Sequence, residues 1–289
     1  MNRAPSSLLA NPLVLLAALL VAMASVQSGA AFAKHLFAEV GPEGATALRQ
    51  LFAALITLIV FRPWRNWPSR SGWRWLGLYG LCLGLMNLSF YMALTRIPLG
   101  IAVALEFLGP LAVAIGASRR WLDFVWVSCA VAGLWVLLPH EGAQALDPVG
   151  VGLALFTGLC WGSYILLGQR VSRQVNEGAA VSLGLSVSCL LTVPWALATV
   201  GPVAFAPAIL PMGLMVALLS GAIPFTIEMF ALKRLPAKTF GILMSLEPAM
   251  GAVSGLLFLG EILSGLQWAA IALIMVASAG SALSVRVKS

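Results

Sequence analysis

The sequence predicts an all-α membrane protein of ten transmembrane helices, arranged as two inverted five-helix repeats. Three observations carry this. The chain resolves into ten apolar segments separated by short loops. The stretch around Pro98 and Pro110 recurs around Pro236 and Pro248, at a constant offset. Basic residues fall overwhelmingly on one side of the segments counted in order. Ala93, Leu94, Arg96, Pro98, Leu105, Leu108, Pro110 and Ala114 each meet the same residue type 138 positions later, and Asp123 meets Glu261. Self-similarity at one offset means two copies of one unit. A unit of five spans is odd, so the second copy enters the bilayer from the opposite side, as in many secondary transporters.

Composition leaves little room for anything else. The 289 residues are 61% hydrophobic and 9% charged, with a mean hydropathy of +0.98. A soluble domain carries roughly 25% charged residues. Each span consumes about 20 residues, so ten spans exclude an extramembrane domain of useful size. The expected spans are 12–33, 44–62, 75–95, 98–118, 121–139, 149–169, 179–200, 208–232, 236–259 and 262–284. The repeats divide as 1–145 and 146–289. Their boundary is the polar link from His140 to Pro148, with Glu141, Gly142 and Asp147.

The first element imitates a cleaved leader. Arg3, the apolar run from Leu13 to Val26 and Ala31-Phe32-Ala33 have that look. Cleavage would leave nine spans and destroy the two-copy pattern, so the run is read as span 1. The loop after span 2, from Arg62 to Arg74, is basic, and Trp64, Trp67, Trp73 and Trp75 suit the headgroup level. With the N-terminus inside, Arg3, Arg62, Arg65, Arg70, Arg74, Arg119, Arg120, Arg170, Arg173, Lys233, Arg234, Lys238, Arg286 and Lys288 lie inside. Only Lys34 and Arg96 lie outside. This predicts both termini in the cytoplasm. The net charge of +7 is then explained by loops facing anionic lipid, with no nucleic-acid partner.

Inside the spans, Gly80/Gly84, Gly158/Gly162 and Gly251/Gly255 repeat the small-xxx-small pattern that lets helices approach closely in lipid. Pro110 and Pro248 lie mid-span at equivalent positions, where each removes a donor and kinks its helix. Cys82, Cys129, Cys160 and Cys189 are widely spaced in apolar segments and read as small buried hydrophobes, without metal-ligand spacing.

Charge at bilayer depth is the sharpest functional signal. Glu106 stands about eight residues into span 4 and Glu247 about twelve into span 9, roughly 12 and 17 Å deep. The offset maps Glu106 onto Met244, one turn before Glu247, so both carboxyls face one central cavity. A carboxyl there serves as a proton and ammonium site, or as an inert interhelical hydrogen bond. Arg49, in the outer third of span 2, either binds a substrate carboxylate or pairs structurally. Glu228 lies near Lys233 and Arg234 and reads as an interfacial ion pair. Ser25, Gln27, Ser28, Asn87, Tyr91, Trp161, Ser163 and Tyr164 are candidates for the lining of a small mixed-polarity pocket, or for helix–helix hydrogen bonds.

Enzymatic readings fare poorly. HExxH and GxSxG are absent, and His35 and His140 both precede the only near match, Ala252-Val253-Ser254-Gly255. No metal site or cofactor is expected. A channel lacks a charged ring or carbonyl filter signature. The runs Leu99-Gly100-Ile101-Ala102-Val103-Ala104-Leu105-Glu106-Phe107, Ser118-Arg119-Arg120 with Asp123-Phe124-Val125-Trp126, and Thr239-Phe240-Gly241 with Met244-Ser245-Leu246-Glu247-Pro248 resemble the bacterial inner-membrane amino-acid exporters of the drug/metabolite transporter superfamily, EamA type. The resemblance implies ten spans, both termini inside, and antiport of small amino acids such as threonine and homoserine against protons. It does not say which residue takes the proton. A broad drug or metabolite exporter of the same fold is the alternative. A membrane structural or assembly protein is the alternative from another class.

Overall fold

A computed structural model describes residues 12–65, 67–116, 121–137, 146–234 and 244–284. The expectations placed on Arg3, Ser118-Arg119-Arg120, the link from His140 to Gly142, Lys238, Thr239-Phe240-Gly241, Arg286 and Lys288 lie outside the described residues, as do the side chains of Asp123, Lys233 and Arg234.

The described residues are helical, with no strand. The helices are α1 (Pro12–Phe61), α2 (Arg70–Leu94), α3 (Leu99–Glu106), α4 (Leu108–Gly116), α5 (Leu122–Leu137), α6 (Pro148–Val171), α7 (Glu177–Thr199), α8 (Leu210–Ala217), α9 (Ile223–Arg234), α10 (Glu247–Leu259) and α11 (Gly265–Ser284). A π-helical turn, Leu218–Ala222, joins α8 to α9. Five described segments are long and apolar enough to cross a membrane, and four more are apolar but shorter.

Local chemistry sets the boundaries. α1 is too long for one crossing, since 45 apolar residues would extend roughly 68 Å at helical rise. It breaks at Gly41, whose φ of 63° and ψ of 174° only glycine adopts readily, and Pro42 restarts the helix. The two limbs, 12–40 and 42–61, are each of span length. Ser69 Oγ caps α2 by accepting from Gly72 N at 3.2 Å, and Asn176 Oδ1 caps α7 from Ala179 N at 2.8 Å. Asp147 caps α6 from Val149 N at 2.7 Å and Gly150 N at 3.1 Å. These N–H groups, Gly150's foremost, together with Arg96, hold the Asp147 carboxyl below its usual range.

Each of the two prolines disturbs its helix, as expected, and the disturbance falls upstream of the proline. The helix ends at Glu106, turns at Phe107 and restarts as α4. Likewise Met244 is helical, Ser245 and Leu246 form a turn, and α10 starts at Glu247. The breaks at Phe107 and Ser245 are 138 residues apart. Each lies three residues before its proline. Pro110 and Pro248 have no N–H to offer the carbonyls of Glu106 and Met244 four residues back, and their rings crowd those carbonyls. The helix is therefore interrupted upstream, and both prolines sit in the first turns of new helices, where they are tolerated.

Limb 42–61 packs along α7, with Phe61 at Gly178 and Gly41 near Val200. α5 packs along α11, with Gly133 at Ile274 and Trp126 at Gly280. α3 crosses α10 where Gly100 meets Ala252 and Val103 meets Gly251. All three pairs run antiparallel. α2 packs on α6, the first limb of α1 packs on the π-helical turn and α9, where Gly29 abuts Ser220, and limb 42–61 meets α8, where Gly213 abuts Leu48.

The expected small-residue pairs lie at close crossings. Gly80 meets Gly184 and Val187, and Gly84 meets Ser188. Gly158 lies against the Glu106 carbonyl, which a Cβ would approach to 2.7 Å, and Gly109 faces the Gly158 carbonyl more closely still. Gly109→Leu is therefore expected to destabilise the bundle by about 3 kcal/mol or more, since backbone and not a flexible side chain opposes it. Detergent thermal-stability measurements, with Gly116→Leu as a control in open space, check this. Equal melting of the two variants contradicts it.

Charged contacts link residues that the basic count assigns to one face. Lys34 Nζ donates to Glu261 Oε1 at 2.5 Å, while Glu261 Oε2 accepts from Leu99 N at 2.7 Å. Arg96 Nη1 donates to Asp147 Oδ2 at 2.9 Å. At the other end Arg170 lies 5.0 Å over the Trp75 ring, and Trp67 packs on Trp73 at 5.2 Å.

Candidate functional site

Glu106 and Glu247 lie beside the turns at Phe107 and Ser245, each about one helical turn from the point where Val103 of α3 meets Gly251 of α10. Both are buried, at 8% and 4% exposure. Glu106 closes α3, and Glu247 opens α10.

Arg49 is 4% exposed on limb 42–61. Its Nη2 donates to Asn87 Oδ1, and its Nη1 donates to the Tyr91 hydroxyl at 3.4 Å. Asn87 is itself oriented, because its Nδ2 donates to Leu83 O at 2.7 Å. The guanidinium carbon lies 5.1 Å from the Tyr91 ring centre and 6.0 Å from that of Phe225, a cation–π setting that suits arginine over lysine. α1 thus supplies a cation that α2 holds in place by neutral groups. No carboxylate lies within ion-pair distance of it among the described residues, so its charge remains available to an anion.

Of the remaining candidates, the structure brings some to this centre. Gln27 is buried beside Gly251 on α10, and its Oε1 has no hydrogen-bond partner among the described residues. Trp161 sets its ring edge-on to Phe107, the residue at the α3–α4 break, at 5.4 Å. Tyr164 stacks on Tyr79 at 4.8 Å, with hydroxyls 3.0 Å apart. Ser25 and Ser163 have their hydroxyls engaged with backbone. Ser25 Oγ donates to Leu219 O at 2.6 Å in the π-helical turn, and Ser163 Oγ donates to Leu159 O at 2.9 Å. Glu228 is partly buried on α9, and the ion pair expected with Lys233 and Arg234 falls on side chains outside the described residues. Sequence reading passed over Tyr79 and Phe225, because an aromatic in an apolar run is indistinguishable from core. It also passed over Gln50, fully buried beside Arg49 with both amide atoms unpartnered among the described residues. The depth criterion that singled out Gln27 would have found it.

Span-length helices that bury an arginine and two glutamates, both glutamates beside helix turns, have the build of a membrane transporter. Comparison with known proteins makes this specific. The sequence profile of the EamA-like transporter family matches residues 11–138 and again residues 148–283, and the chain belongs to that family. It is 49% identical over 269 residues to the threonine/homoserine exporter RhtA of Salmonella typhimurium, covering 93% of this chain and 91% of the relative. The Escherichia coli K12 protein of the same name is 48% identical over 287 residues, covering 99% and 97%. An uncharacterized transporter of Bacillus subtilis, YwfM, is 27% identical over 72% of this chain and 75% of its own length. A solved crystal structure shares the fold at a TM-score of 0.63 and 20% identity, covering 92% of this chain and 96% of its own.

Proposed function

We propose that this chain is a proton-coupled exporter of threonine, homoserine and similar small amino acids across the bacterial inner membrane. The observation that carries the proposal is the burial of Arg49, with no carboxylate at ion-pair distance among the described residues, in the same bundle as the buried carboxyls of Glu106 and Glu247. An amino acid presents a carboxylate and an ammonium together. Arg49 takes the carboxylate by charge-assisted hydrogen bonds. Glu106 or Glu247 takes the ammonium. The aromatic groups Tyr91, Trp161 and Tyr164 enclose the remainder. The named activity of the relatives at 48–49% identity supports the substrate class.

The site also supplies a means of coupling. A carboxyl that holds either the substrate ammonium or a proton cannot hold both, so each displaces the other. The protein carries substrate outward and returns protonated. Alternating access comes from two inverted repeats, 1–145 and 146–289, rocking about the site. The antiparallel packing of limb 42–61 on α7 and of α5 on α11 supports the inversion, since each of these pairs relates segments that overlap at the 138-residue offset. The family profile matching twice supports the same division.

Both termini are cytoplasmic on this reading, and the basic loops meet anionic lipid. A single cysteine at position 142 is then expected to react with a membrane-impermeant maleimide from outside, and one at position 68 only from inside. Labelling of both from one side contradicts the topology. Transport itself is tested by counterflow. Proteoliposomes preloaded with unlabelled threonine are expected to accumulate labelled threonine above its equilibrium level, and uptake no greater than in empty liposomes contradicts the reading.

A further inference from the structure

We propose that Gln27 reads the side-chain hydroxyl of the exported amino acid. This deepens the amino-acid-export reading above and rests on it. Gln27 stands on the first limb of α1, 2% exposed, and its Oε1 is a buried acceptor with no donor among the described residues. Such an atom is a standing cost to the fold unless a bound group satisfies it. Its position is defined by the α3–α10 crossing. A Cβ added at Gly251 would lie 3.4 Å from Gln27 Oε1 and 2.9 Å from Val103 Cγ2. The amide therefore reaches into the seam between these two helices, and glycine at 251 leaves it room.

Val103 is three residues before Glu106, and Gly251 is four residues after Glu247. Residues three and four apart share a helix face. The amide thus sits about one helical turn, roughly 5 Å, along the seam from the two carboxyls. An amino acid whose ammonium is held by either carboxyl extends its side chain along that seam. In threonine the hydroxyl oxygen lies three bonds from the nitrogen, and in homoserine four. Either hydroxyl can donate to Oε1 and complete it. Valine has nearly the shape of threonine but offers only a methyl group there, so binding it buries the acceptor unpaired. Sites built around a substrate hydroxyl reject the analogue that lacks it more strongly than apolar pockets discriminate by size.

The test is threonine counterflow in proteoliposomes, with unlabelled threonine, valine and 2-aminobutyrate as competitors. In the wild type, threonine is expected to compete roughly 10–100-fold better than valine, the factor for one unmade buried hydrogen bond. In Gln27→Leu the ratio is expected to fall to near one, through loss of threonine affinity. The variant removes an unpaired polar atom from an apolar seam, so it is expected to fold. Gln27→Met provides a second isostere with the same expected ratio. If wild type transports threonine and both variants keep the wild-type ratio, Gln27 does not read the hydroxyl. If wild type shows no threonine counterflow, the export reading fails, and this inference fails with it.

Discussion

Glu106→Gln and Glu247→Gln are each expected to abolish threonine export driven by a pH gradient, reducing it to the leak of protein-free liposomes. One of the two is expected to retain gradient-independent exchange of substrate. Glutamine preserves size and hydrogen bonding and removes only the ability to exchange a proton for an ammonium. Loss of driven export with exchange retained therefore reports coupling, because a packing defect would remove both. Both side chains are buried where α3 ends and α10 begins. Each is thus held at a helix terminus, beside a turn. If both variants export at the wild-type rate across an imposed gradient, neither residue couples protons. Glu228, the remaining acidic residue within an apolar segment, then becomes the candidate.

Arg49→Met is expected to weaken threonine binding about 10–100-fold, the loss appropriate to a buried charge-assisted bond to a carboxylate. Arg49→Lys is expected to recover part of it. Lysine restores the charge but cannot span Asn87 and Tyr91 with one planar group. The Met variant also leaves Asn87 Oδ1 without its donor, so the comparison with Lys separates substrate charge from local packing. The half-saturation concentration for counterflow is the readout. A Met variant with wild-type half-saturation means that Arg49 serves only to tie α1 to α2.

The sequence was most legible where physics is one-dimensional. Apolar length predicted the span-length segments, and depth of charge predicted that Arg49, Glu106 and Glu247 are buried. It was less legible where the outcome depends on which neighbour a segment meets. Pro110 and Pro248 announced a disturbance, but its placement at Phe107 and Ser245 follows from the carbonyls four residues back and from Gly158 pressed on the Glu106 carbonyl. The π-helical turn after Ala217 is announced by Pro224, which has no N–H for the Ser220 carbonyl four residues back, but Ser25 donating into it from another helix is a tertiary contact. Ser163 illustrates the limit for single polar residues. At bilayer depth a serine looks the same whether it faces a ligand or bonds its own helix, and here it donates to Leu159 O. Arg49 was ambiguous for the same reason, and its neutral partners, Asn87 and Tyr91, come from another helix.

The central claim is that a proton and an amino acid share one buried carboxyl site between Arg49, Glu106 and Glu247. Labelled-threonine uptake into proteoliposomes with an imposed pH gradient, at zero membrane potential, tests it most directly. Acidifying the lumen is expected to drive threonine inward above its equilibrium level, and collapsing the gradient with a protonophore is expected to release it. Threonine that equilibrates at the same level with and without the gradient contradicts proton coupling.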